Sequence, residues 1–261
     1  MITIGDWYAE AAEGWVRGAS LVYGPLAELL VDRCPIPLAG ERVLDLGAGT
    51  GVATDAIVGR GGHPFALDRS LAMLAWQQEQ RPPAAVADAM ALPVRTDAVA
   101  ASVAAFVLNH LTAPVVAMSE LARVTRRGGA VLVSAYATSS SSPSRDRVDA
   151  IAVSEGFEAP DWYRHIKTAA VPLLGDARAM GGAATTAGLV EVDTEERRVD
   201  VGIHRAADLV DYRFGQAHYA GWLATLAPAR RAVVRQRAIE AVEPIMEPFL
   251  PTIVLLVARV R

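Results

Sequence analysis

Asp45, Gly47, Gly49 and Gly51 alternate with other residues in Asp-Leu-Gly-Ala-Gly-Thr-Gly, directly after the apolar pair Val43-Leu44. Glycines at that spacing let a ligand lie against bare main chain, because no Cβ stands in the way. A helical pattern resumes at once with Val52, Ala53, Ala56 and Ile57. The turn therefore ends at a helix start, where free N–H groups and positive dipole face the ligand. Asp45 would repel a pyrophosphate there but could pair with an amine. Asp68, twenty-one residues after Gly47, closes an apolar stretch that begins at His63. A carboxylate accepts two donors at once, which suits two ribose hydroxyls; without a ligand the same residue would cap a helix. Asp88, read by itself, is an ordinary turn aspartate before Pro93. Five histidines supply candidate bases near neutral pH. His63 and His204 fall at strand ends away from the expected ligand. His110 follows the most apolar stretch of the chain, and His165 and His218 lie in helical segments. A lone histidine is more often structural than basic, so each of these has a bland reading.

The elements that must position these residues follow from periodicity. Helical spacing over 5–33 brings up Trp7, Tyr8, Trp15 and Tyr23 and breaks near Gly24-Pro25. Buried strands are expected over 43–46, 63–67, 84–87, 97–107 and 130–135, with helices over 52–60, 71–80 and 112–126 between them. The Ser-rich run 138–144 reads as a mobile loop leaving the ligand edge of the sheet. Residues 145–187 are helical in pattern; 189–203 alternate as a strand; 206–242 form two helices broken at Pro228; 252–260 close the chain as a strand. The Arg230–Arg237 stretch reads as a solvated basic face. The carboxyl ends of strands in an open α/β sheet face the ligand crevice, which places Asn109 and His110 beside it.

Composition narrows the classes. The 261 residues are 52% hydrophobic and 21% charged with a formal net charge of −4, which argues against a nucleic-acid groove or an anionic membrane face. The single cysteine, Cys34, forms no intrachain disulfide and no zinc cluster, and reads as a small buried hydrophobe. No metal site is expected. The longest apolar run, 98–108, is half a membrane span, and the N-terminus carries acids rather than a signal pattern, so a cytoplasmic protein is expected.

The string from Asp45 to Gly51, set between a strand and a helix, resembles the D-x-G-x-G-x-G motif of class I S-adenosylmethionine-dependent methyltransferases. Ala-Asp-Ala-x-x-Leu-Pro at 87–93 resembles a second pattern of that family. The resemblance runs from Val43 to Tyr136. It is nearest to the small-molecule branch with ubiquinone and menaquinone methyltransferases and actinobacterial natural-product tailoring enzymes. It implies an α/β fold: a Rossmann-like, seven-stranded, mostly parallel sheet with helices on both faces, the last strand antiparallel, and helical cap insertions. One domain over 1–261 is expected, with the sheet over about 41–136, 189–204 and 251–260 and cap segments over about 1–33, 139–187 and 206–246. The implied cofactor is S-adenosyl-L-methionine, leaving as S-adenosyl-L-homocysteine. Its implied site comprises Asp45, Gly47, Ala48 and Gly49, then Asp68 and Arg69 near the ribose. Met73, Asp88, Ala89 and Met90 belong to the adenine side, Phe106 and Leu111 follow the fourth strand, and Tyr8 comes from an N-terminal helix that closes over the site.

In such a family the cap chooses the substrate. Its aromatic residues point to an apolar or aromatic small molecule of drug size. Tyr23, Asn109, Trp162, Tyr163, Tyr212, Arg213 and His218 are the expected substrate contacts, and His110, His218 and His165 the candidate bases. The Asn-Pro-Pro-Tyr signature of adenine and glutamine-amide methylation is missing after the fourth strand, where Phe106 to Leu111 stand. O-methylation is favoured, with C- and N-methylation open and secondary metabolism as the setting. The expected partner is the small molecule alone, with no nucleic acid and no membrane; a homodimer is compatible. Two alternatives stand: a protein that binds the same cofactor for other work, such as a cyclase, and a nicotinamide-dependent oxidoreductase. Val52 in place of the third glycine of G-x-G-x-x-G counts against the latter.

Overall fold

Apolar runs bounded by turns, and one largely charged run, become seven strands in a computed structural model, which describes Tyr8 and residues 11–261. They are β1 (Arg42–Leu46), β2 (His63–Asp68), β3 (Ala84–Val86), β4 (Val99–Ala105), β5 (Thr125–Tyr136), β6 (Val190–Arg198) and β7 (Thr252–Arg259). They form one sheet in the order β3-β2-β1-β4-β5-β7-β6. The first five pair in parallel, and β7 runs antiparallel to both β5 and β6. This is the expected Rossmann-like sheet. The chain leaves β1 in one direction along the sheet and resumes at β4 on its other side. The carboxyl ends of β1 and β4 therefore flank a crevice.

Helices of eight residues or more are α1 (Ser20–Asp32), α2 (Val52–Gly59), α3 (Pro114–Val124), α4 (Pro143–Ser154), α5 (Ala177–Thr186), α6 (Ala206–Phe214), α7 (Ala217–Thr225) and α8 (Pro228–Val242). Alternation along the strands divides two cores. Val43, Val103, Leu132 and Leu255 pack under α1, α2, α6 and α8. Leu44, Val131, Val133 and Leu256 pack under α3 and α5. Both layers are fully buried at their centres.

Several expected boundaries move, each for a local reason. The beginning of the helix expected over 5–33, with Trp7, lies outside the described residues. Its remainder does not break at Gly24-Pro25: α1 carries Pro25 inside, and a wide π-turn, Trp15–Ala19, precedes it. That turn crosses α6 at Gly18, where a Cβ would lie 1.9 Å from the Asp211 carbonyl oxygen. The helix expected over 71–80 is a single turn, Leu71–Leu74, because Gln77 adopts φ +49° and only a short 3₁₀ turn follows. The strand expected over 97–107 is bounded by Asp97 at φ +55° and Phe106 at φ +57°. α3 stops at Val124, so Arg126 and Arg127 belong to a longer β5, and Arg126 reaches Glu41 at 2.9 Å. β6 ends at Arg198, before a turn in which Gly202 N–H donates to Asp200. Three helices rather than two fill 206–242, with a break at Gly215-Gln216.

Three smaller readings also change. The Ser-rich loop is pinned at its end, where Ser142 caps α4 and buried Ser144 donates to the Ile245 carbonyl. The basic stretch of α8 is an ion-pair ledge rather than a solvated face: Arg230 and Arg237 hold Glu155, and Arg235 holds Asp211. Cys34 is half-buried and unpaired. Among the described residues no helix is long and apolar enough to cross a membrane, and no cluster of His, Cys, Asp and Glu could hold a metal ion.

Candidate active site

β1 runs out at Leu46 and the chain turns through Gly47 at φ +71° and Gly49 at φ +54°, backbone that L side chains rarely adopt. Gly47 is also squeezed: a Cβ there would sit 2.5 Å from the Val107 side chain. The loop is held from two sides. Its Gly47 N–H donates to the Leu67 carbonyl at 2.7 Å. Arg81 donates to the carbonyls of Gly49 at 2.9 Å and of Met73 and Leu74 at 3.2 Å. Asp68, at the end of β2, accepts the Gly49 N–H and the Ser70 N–H, both at 2.8 Å. Ser70, not Asp68, is the cap of the turn that follows.

The crevice holds two adjoining cavities, of about 260 and 510 Å³. The smaller lies over the glycine loop. Gly47, Ala48, Gly49, Asp68, Arg69 and Met73 line it. So do Asp88, Ala89, Met90, Phe106, Leu111 and Tyr8. Asp88 accepts the Met90 N–H at 2.9 Å and so stiffens the turn after β3. Val52 stands in the wall where a third glycine would leave space. Asp45 is not in this wall. It lies beneath the loop, 1% exposed, accepting from Thr54 Oγ1 at 2.5 Å, with its other oxygen unpartnered among the described residues. Burial pushes its carboxyl up to about 7.

The larger cavity lies under the cap. Tyr23, Asn109, Trp162, Tyr163, Tyr212, Arg213 and His218 all line it, so the expected substrate contacts are brought together. Tyr8, Trp15, Tyr23, His110 and Ile166 belong to both cavities and form the partition. Its rings are continuous: Tyr8 meets Trp15 edge-on at 6.0 Å, and Trp15 stacks on Tyr23 at 4.8 Å. His110 Nδ1 lies 3.1 Å from the Tyr8 hydroxyl. Burial lowers the imidazole to about 4, so it is neutral at pH 7, and its tautomer decides which of the two groups donates. His218 stacks on Tyr163 at 3.9 Å, with Nε2 unpartnered among the described residues. Burial, Arg213 and Lys167 hold it well below the usual histidine range. His165 is exposed and lines the smaller cavity instead.

Arg213 is buried and committed elsewhere: it grips Asp149 through three contacts of 2.8–2.9 Å, and Tyr219 donates to the same carboxylate at 2.8 Å. Sequence reasoning missed Asp149, Tyr136, Lys167 and Arg81. Tyr136 at the end of β5, 3.1 Å from the Tyr212 hydroxyl, could have been found from the strand-end rule. Asp149 carries no sequence signal because its partners Arg213 and Tyr219 are distant in the chain, and Arg81 and Lys167 fall in no motif.

Residues 44–133 match the family described as a methyltransferase domain. Demethylmenaquinone methyltransferase of Mycobacterium tuberculosis strain H37Rv is 38% identical over 99 residues, which are 38% of this chain and 42% of the relative. The chain thus spans less than half the length of the curated relatives it matches. Phosphoethanolamine N-methyltransferase 2 of Haemonchus contortus, solved with S-adenosyl-L-methionine, superposes with a TM-score of 0.59 at 16% identity, covering 90% of this chain and 52% of that one. The 4+2 cyclase SpnF superposes with a TM-score of 0.58 at 19% identity, covering 91% and 80%. At such identities the likeness is one of fold. The matched segment thus resembles a methyltransferase domain in sequence, and the chain as a whole shares the fold of solved methyltransferases.

Proposed function

We propose that this chain moves a methyl group from S-adenosylmethionine, in the smaller cavity, to a small apolar or aromatic molecule in the larger one. The observation that carries the reading is the partition, a single layer of side chains shared by two cavities. The smaller cavity fits the cofactor's chemistry: a glycine cradle that a Cβ would fill, two strand-end carboxylates, and apolar walls. The Gly47–Gly49 main chain would lie along the amino-acid end, Asp68 would accept from ribose hydroxyls, and Asp88 from the adenine amino group. Met73, Phe106 and Leu111 would pack on the apolar faces, with Tyr8 closing over them. Asp45 acts through Thr54 and the loop. The bound cofactor supplies a methyl group already activated on a sulfonium. What remains for the protein is alignment, exclusion of water and, for a hydroxyl acceptor, removal of a proton.

His110 is our candidate for that proton, which favours O-methylation. Its neutral Nδ1 faces the partition, and an acceptor hydroxyl would take the place of the Tyr8 phenol there. An imidazole lowered to about 4 is a modest base, ready at any neutral pH. His218 and His165 are the reserve candidates. Incubation with methyl-labelled donor and a panel of hydroxylated aromatic compounds tests the reading, with label on product and release of S-adenosylhomocysteine as the expected result. Tight S-adenosylhomocysteine binding without any methylated product would turn the reading toward cyclase-like work. No binding would overturn it.

A further inference from the structure

Lys167 is the only lysine in the sequence; the other twenty-four basic residues are arginines. It sits on a second π-turn, Ile166–Ala170, and forms part of the wall of the larger cavity. It is also exposed, so the cavity opens to solvent there. Among the described residues no carboxylate pairs with it. The two acids that act on it, Asp149 and Asp146, are already held by Arg213 and Arg145. Three cations thus face two carboxylates, and the surplus charge rests on one ammonium.

The rest of the wall suits the body of a ligand. Asn109 and His218 are 5% and 6% exposed, and each keeps a buried polar atom, Oδ1 and Nε2, without a partner among the described residues. Buried polar atoms are rarely left so, and two in one cavity point to polar groups of a bound molecule. Trp162, Tyr163 and Tyr212 line the same cavity. Partial desolvation by the cavity wall and the guanidinium groups of Arg145 and Arg213 push the Lys167 amine down, and an incoming anion would favour its charged form.

We propose that the larger cavity takes an aromatic organic acid, its anionic group seated on Lys167 at the mouth and its ring inside. This rests on reading that cavity as the acceptor site.

The test compares 8-anilinonaphthalene-1-sulfonate with N-phenyl-1-naphthylamine, the same rings without the charge, by fluorescence titration. Wild type, Lys167→Met, Lys167→Gln and Lys167→Arg are measured, with S-adenosylhomocysteine affinity read by calorimetry on the same samples. The anionic probe should bind wild type ten- to a hundredfold more tightly than the neutral one, the scale of a charge-assisted contact. The Met and Gln variants should lose that preference while keeping neutral-probe affinity within about twofold, and the Arg variant should restore most of it. Equal affinity for both probes, an undiminished preference in Lys167→Met and Lys167→Gln, or no binding of either probe to wild type overturns the proposal. If S-adenosylhomocysteine binds normally in such a case, only the acid assignment falls. If it fails to bind wild type, the methyl-transfer reading falls whatever the probes do.

Discussion

Asp68→Ala separates a carboxylate that anchors a loop from one that also holds a ligand. In the structure its two oxygens accept the Gly49 and Ser70 N–H groups at 2.8 Å each. A hydrogen bond to a charged acceptor contributes about 1.5–3 kcal/mol when dry. Asp68 is only half-buried, so water replaces much of what the alanine removes. The loss of stability should therefore be about 1–2 kcal/mol in all, a fall in melting temperature of roughly 2–8 °C for a chain of this size. Ribose hydroxyls add a separate loss, seen only with ligand: about 2 kcal/mol or more, some thirtyfold in affinity. Asp68→Asn keeps one acceptor oxygen and should fall between. Calorimetric titration with S-adenosylhomocysteine, well below the melting point of each variant, reads the second term alone. Affinity in Asp68→Ala within about twofold of wild type would show that the carboxylate serves only the loop.

Four other experiments test the remaining geometry. Gly47→Ala should cost about 2–5 kcal/mol, from a left-handed backbone and the Val107 contact. Pairing it with Val107→Ala should recover the second part, and strict additivity in denaturant titrations would refute that. Asp45 is raised to about 7 from an ordinary value near 3.8, so the folded state binds its proton more tightly. Wild-type stability relative to Asp45→Asn should thus rise as pH falls from about 7 towards 4, and a constant difference would contradict the burial argument. His110→Asn should lower kcat by about 10² to 10⁴ with melting temperature and donor affinity retained. With the imidazole at about 4, wild-type kcat should hold between pH 7.5 and pH 5.5, and a base titrating near 6.5 would point elsewhere. Arg213→Met leaves a half-exposed Asp149 with Tyr219 but without its cation and should cost about 1–3 kcal/mol by chemical denaturation; the added change Asp149→Leu should recover much of it.

The glycine loop, Asp68 and Asp88 were legible because each depends on its own neighbours in the chain: a strand end, a turn and a fixed spacing. The same holds for the inner strands β1, β2 and β4, whose runs are short and apolar. The cap was legible only in outline. Its aromatic residues were visible, but nothing in 145–187 announces the π-turn that brings Lys167 to the cavity. Asp149 and Arg213 are sixty-four residues apart, and only packing of α4 on α6 joins them. Asp45 shows the limit from the other side. Its position was clear, yet its depth beneath the loop, and so its neutral tendency, depends on Thr54 and the layer above.

The place of β7 has a consequence for how the protein is made. This strand, Thr252–Arg259, lies between β5 and β6 and hydrogen-bonds to both. Until it leaves the ribosome, β5 presents an open edge and β6 has no sheet to join. Synthesis at about 5–20 residues per second leaves that seam waiting several seconds after β5 is complete. During that interval the nascent chain offers a bare apolar strand, Ala130–Ala135, to any chaperone or neighbouring chain. The arginines of β6, Arg197 and Arg198, and its acids, Glu195 and Glu196, keep the other waiting strand from pairing prematurely, as charged edges do.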